Sequence, residues 1–151
     1  MLTWMQETRV AAAISDSLML NAALSSVHLL GITLLVGSVL VSSLRLIGVA
    51  FVDWPANEVT RTTRRGTLVG LAVTISTGLF LVSPRAVSAS ANSFFQAKLA
   101  LLAAAVVVHF TIYRRASATT AERRRAPVVG AAGLLLWLGV VVSGAAFILL
   151  E

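Results

Sequence analysis

The sequence predicts an all-α integral membrane protein: a four-helix bundle preceded by a short N-terminal interfacial helix. Three observations carry that prediction. Of the 151 residues, 58% are hydrophobic and only 12% charged, whereas a soluble domain carries about 25% charged residues. The apolar residues fall into four runs, each near or above the ~20 residues that cross a bilayer. The basic residues gather in the connectors between runs, where topology signals sit.

The first 19 residues carry Glu7, Arg9 and Asp16. They lack the basic start and apolar core of a cleaved signal peptide. Residues 3–18 read instead as a weakly amphipathic interfacial helix. The first span covers 20–46 and extends toward residue 51; its length predicts tilt or projection from the membrane. The connector 53–65 contains Trp54-Pro55-Ala56-Asn57. Pro55 disfavours helix in the residue before it, and Asp and Asn suit a turn. The second span, 66–83, ends at Ser83-Pro84-Arg85, and a small, polar connector leads to Asn92. The third span covers 94–113. After a connector holding Arg114, Arg115, Glu122, Arg123, Arg124 and Arg125, Pro127 suits the first turn of the fourth span, 128–150. Residues 1–151 thus form a single transmembrane domain. Backbone groups in hydrocarbon must be satisfied within their segment, which makes these runs helices. They are too long for barrel strands and lack period-two alternation.

The formal net charge of +6 would suggest nucleic acid in a soluble protein. Here the cations sit between apolar runs, so the expected partner is a lipid bilayer and not nucleic acid. Arg45, Arg61, Arg64, Arg65, Arg114, Arg115, Arg123, Arg124 and Arg125 make nine of the twelve basic residues, against Arg9, Arg85 and Lys98 at the other side. Positive-inside bias places the arginine-rich connectors in the cytoplasm and both termini outside. The absence of cysteine excludes disulfides, thiolate metal sites and cysteine nucleophiles.

Two stripes predict packing. Gly66, Gly70, Thr74 and Gly78 recur at intervals of four, which lets a neighbouring helix approach closely. His28, Gly31, Leu35, Ser38, Ser42 and Arg45 share a face that should point inward, because polar groups facing lipid are costly. In the third span Lys98, Leu102, Ala105 and His109 share a face in the same way.

Ionisable residues inside spans are functional candidates. His28 and His109 are the two histidines, each weighed against a buried imidazole bonded to a backbone carbonyl or to a hydroxyl such as Ser25 or Ser26. With ~1.5 Å of rise per residue, His28 lies about 10 Å deep, His109 about 20 Å and Lys98 about 3 Å. A His28–Lys98 pair is therefore at least as plausible as His28–His109. Two imidazoles, or an imidazole and an amine, favour haem iron or copper over magnesium or calcium. No span holds a carboxylate, which argues against a proton-coupled exporter. No serine–histidine–acid set and no phosphate-binding loop occur. Trp137 reads as core packing. Trp4, Trp54, Phe94, Phe95 and Tyr113 fit interfacial aromatic belts.

The stretch from Ser26-Val27-His28-Leu29-Leu30-Gly31 to Gly37, with Ser43-Leu44-Arg45-Leu46-Ile47-Gly48, resembles an uncharacterised bacterial family of four-helix membrane proteins. Thr77-Gly78-Leu79-Phe80 and the stretch from Asn92 to Lys98, with His109 following, carry the same resemblance, which covers roughly residues 4–115. More distantly the skeleton is similar to CopD-type copper-resistance proteins and to HemJ-type protoporphyrinogen oxidases. Those share an early histidine, a later arginine–leucine pair and a lysine opening a later span, matched here by His28, Arg45 and Lys98. HemJ-type proteins bind haem b, and the histidine and lysine matter there. Leu35 stands where they carry a tryptophan, so the oxidase activity is not carried over. Ser25 stands where the closer family commonly has a glutamate.

The leading expectation is a subunit of the bacterial cytoplasmic (inner) membrane that binds b-type haem and transfers electrons. His28 is its axial ligand and His109 or Lys98 the second. Arg45 faces a propionate, a quinone or a lipid phosphate. Such a protein is more a redox or accessory subunit than a stand-alone enzyme. The alternatives are a cofactor-free structural subunit, with partner subunits or as a homo-oligomer, and copper or small-solute transport.

Overall fold

The computed structural model describes residues 2–116 and 126–149, and no strand occurs among them. Two short helices come first, α1 (Leu2–Gln6) and α2 (Arg9–Asp16). One interfacial helix was expected over 3–18; Thr8 divides it. Its hydroxyl accepts from the Ala11 amide at 3.2 Å and donates to the Met5 carbonyl at 3.0 Å. A capping side chain of that kind competes with the backbone for the helical bond. Ser17 caps α3 (Leu18–Ile47) by accepting from the Leu20 amide at 3.2 Å. Gly48 stops that helix at φ 87°, a left-handed conformation open to glycine.

Helix α4 (Ala56–Val82) begins ten residues before the expected second span. Hydropathy locates the solvent boundary, and the polar stretch 56–65 continues the same helix beyond it. Pro55 stands immediately before α4, where its missing N–H costs nothing. A 3₁₀ turn (Ser83–Arg85) and α5 (Ala86–Ala91) replace the expected polar connector. Asn92 then opens α6 (Ser93–Ala116) by accepting the Phe94 amide at 2.9 Å. Helix α7 (Ala126–Leu149) carries Pro127 in its first turn, as expected. Arg123, Arg124, Arg125 and Glu122, assigned to the last connector, lie outside the described residues.

Four helices are long and apolar enough to cross a membrane. Their large side chains point outward: Leu30 is 70% exposed, Leu135 69% and Val142 65%. In water such a continuous apolar surface would drive association. In hydrocarbon it is the surface the solvent requires, and the chain is a multi-pass membrane protein.

Helix α3 holds the bundle together, with α4 on one side and α7 on another, and α6 packs on α7. The two small-residue stripes face each other along the α3–α4 seam. A Cβ on Gly70 would sit 2.6 Å from the Leu35 backbone nitrogen, so no larger residue fits without moving α3. Inside the seam Ser42 Oγ meets Thr63 Oγ1 at 2.6 Å and donates to the Ser38 carbonyl at 2.9 Å. Leu35, Val39, Ala105, Trp137 and Val140 form the core where α3, α6 and α7 meet. By contrast α4 and α6 barely touch, and the bundle is open along that side. Helices α1 and α2 pack against the 3₁₀ turn and α5. They cover the bundle end where α3 and α6 begin.

Candidate functional site at the open side of the bundle

A cavity of about 230 Å³ lies where α3, α4 and α6 diverge. The first turns of α3 contribute Asn21, Ser25 and His28; the end of α4 and the turn after it contribute Gly78, Leu81, Val82 and Arg85; the start of α6 contributes Phe95 and Lys98. The lining holds imidazole, amine and guanidinium groups and no carboxylate.

His28 projects from α3 toward the second half of α4. Its Nδ1 lies 2.7 Å from Thr77 Oγ1, and the Thr74 carbonyl also faces the ring. Gly78 leaves space for the imidazole, since a Cβ there would stand 3.2 Å from His28 Cε1. Lys98 reaches the cavity along α7. Its Cε and Nζ lie 3.3 Å from where a Cβ on Gly144 would be, so that glycine makes room for the lysine stem. Two glycines on two helices thus admit the two nitrogen-bearing side chains.

Residues 7–149 match a family profile. The chain belongs to DUF6644, a family of unknown function. The match runs through α7, beyond the 4–115 expected from the motifs, and every residue lining the cavity falls within it. No curated protein and no solved structure matches the chain.

The other candidates of this DUF6644 protein lie elsewhere. His109 does not line the cavity. It is buried between α6 and α7, with its ring edge-on to Trp137 at 6.5 Å between centroids. Eleven residues separate it from Lys98, about 16 Å along a helix. Trp137 is 1% exposed and belongs to the core. Arg45 is further still from His28, 17 residues on along α3, or about 25 Å. Its Nε donates to the Trp54 carbonyl at 2.6 Å and ties down the loop after α3. Of the four residues singled out, the fold brings His28 and Lys98 together and separates His109 and Arg45 from them.

Neither serine suggested as a partner for His28 bonds to it. Ser25 turns to Asn21 Oδ1 at 3.4 Å and Ser26 to the Ala22 carbonyl at 2.9 Å. Thr77 takes that role. It stands in the Thr77-Gly78 motif, where the sequence showed a pattern but no contact. Asn21, Arg85 and Phe95 carried no signal for a shared site.

The donor set suits a haem iron better than a bare cation. Among the described residues no three histidine, cysteine or carboxylate side chains converge on a metal position, so an ion lacking its own ligands would be poorly held. A haem supplies four nitrogens itself and asks the protein for one or two axial groups. Enclosed ligand pockets run to roughly 300–1,000 Å³. The cavity, at about 230 Å³, is below that range, so a haem would not fit within it alone and would need the open α4–α6 side as well.

Proposed function

We propose that this is a haem b protein of the bacterial cytoplasmic membrane that carries electrons, with His28 and Lys98 as the residues that would hold its iron. The observation that carries the proposal is the meeting of His28 and Lys98 in one carboxylate-free cavity on the open side of the bundle. The two residues come from helices 70 positions apart in sequence. A bound haem would supply one-electron chemistry. The chain's residues hold and orient: Gly78 and Gly144 admit the two side chains, and Leu81, Val82 and Phe95 exclude water. Arg85 and Asn21 offer cationic and amide groups to carboxylates at the rim. Arg45, 17 residues on along α3, or about 25 Å from His28, would face a quinone or a lipid phosphate at the cytoplasmic end and not a propionate of this haem. Both termini lie outside and the arginine-rich end lies in the cytoplasm, in accord with the charge asymmetry.

The test is a reduced-minus-oxidised spectrum of the detergent-purified protein, with a pyridine haemochrome assay for haem type. The expected result is b-type bands that vanish in His28→Ala, weaken or shift in Lys98→Ala and persist in His109→Ala. Absence of haem bands, or bands indifferent to His28→Ala, rejects the proposal.

A further inference from the structure

Three heavy atoms stand in a row at the His28 site. Nδ1 of His28 lies 2.7 Å from Thr77 Oγ1, and Thr77 Oγ1 lies 2.6 Å from the Val73 carbonyl oxygen. Each spacing is a hydrogen-bond distance. Two oxygens or an oxygen and a nitrogen this close repel unless a proton lies between them. Two protons are therefore required, one in each gap. The carbonyl supplies none and the hydroxyl supplies one. If the hydroxyl proton pointed at Nδ1, two oxygens would face each other at 2.6 Å with nothing between them. The assignment that satisfies both contacts runs one way: Nδ1–H donates to Oγ1, and the hydroxyl donates to the Val73 carbonyl.

We infer that Thr77 is a positioning residue that fixes His28 as the Nδ1–H tautomer and leaves Nε2 as the lone-pair nitrogen of the site. Free imidazole in water favours the opposite tautomer, so the helix imposes the choice. The device is built from common parts. A threonine inside a helix readily bonds the carbonyl one turn back, which holds its hydroxyl in one rotamer and turns its lone pairs to the seam. Thr77 is buried, so water does not replace either bond. Gly78, the next residue, leaves the space that lets the ring approach. A ring nitrogen whose partner fixes the tautomer is how proteins commonly prepare a histidine to accept a metal or a proton. The inference concerns the protein itself and holds whether or not a haem is the ligand.

The experiment is long-range proton–nitrogen correlation spectroscopy on histidine-labelled protein in detergent, prepared without added haem. It is run at about pH 8, above the ordinary imidazole range. The His109→Gln variant assigns the two rings. The wild type is expected to show His28 protonated at Nδ1. Thr77→Val, which keeps the shape and removes the hydroxyl, is expected to lose that pattern in favour of Nε2–H. Thr77→Ser, which restores the hydroxyl, is expected to recover it. A wild-type ring protonated at Nε2, or a pattern unchanged by Thr77→Val, overturns the inference. Circular dichroism of the valine variant separates unfolding from a tautomer change, and the wild-type spectrum decides the matter even if that variant fails to fold. Failure of the haem proposal leaves this result untouched, because the readout is taken on the cofactor-free protein.

Discussion

The α3–α4 seam and the α4–α6 side use the same helix in opposite ways. On one side α4 presents Gly66, Gly70, Thr74 and Thr77, and α3 comes close enough to touch backbone. On the other side it presents Leu81 and Val82 near its end, and α6 stands away. Helix association in lipid has no hydrophobic driving force and rests on close packing. A helix with small residues on one face therefore binds on that face alone. The side that stays open is where His28 and Lys98 meet. Tightness on one side and an opening on the other are two results of one asymmetric helix.

Filling the seam should give the largest effect. Gly70→Leu drives a side chain into the Leu35 backbone and should cost about 3 kcal/mol, read as a fall in denaturant midpoint in micelles. A stability equal to wild type would show that the seam yields. His109→Ala comes next. It empties a buried space beside Trp137 and should cost about 2 kcal/mol, while any haem bands stay in place. Loss of those bands would move the site toward α7. Leu81→Ala, on the open side, should cost less than about 1 kcal/mol, because the half-buried residue leaves no closed cavity behind. A penalty matching Gly70→Leu would mean that α4 and α6 close on each other in the membrane. The smallest effect is expected from Thr74→Val. Thr74 Oγ1 is buried and bonded to nothing, so the isosteric change should leave stability level or raise it by up to about 1 kcal/mol. A loss would reveal a partner for that hydroxyl.

Much of the seam was legible in advance. Gly66, Gly70, Thr74 and Gly78 recur every four residues, and His28, Gly31, Leu35, Ser38 and Ser42 share a face, because helical periodicity repeats in sequence what touches in space. The start of α4 was not legible. Hydropathy reports which solvent a residue meets and not whether its backbone is helical, so residues 56–65 read as a loop. Thr8 was missed for a related reason: a cap is a local bond and leaves no mark on periodicity. At the site, His28 and Lys98 stood out because imidazole and amine are rare in hydrocarbon. Thr77, Asn21 and Arg85 did not, because a threonine, an amide and an arginine at a helix end are ordinary in a membrane protein.

The sequence alone determined the solvent, the number of crossings and the faces that could pack, since these follow from the composition and period of each helix taken singly. Only the tertiary structure decided which helices are neighbours and where the bundle stays open. That choice joined Lys98 to His28, set His109 against Trp137 and placed Thr77 beneath the imidazole. The reason is that a face says how closely a partner can come, while the partner itself is selected by the fit of all four helices at once.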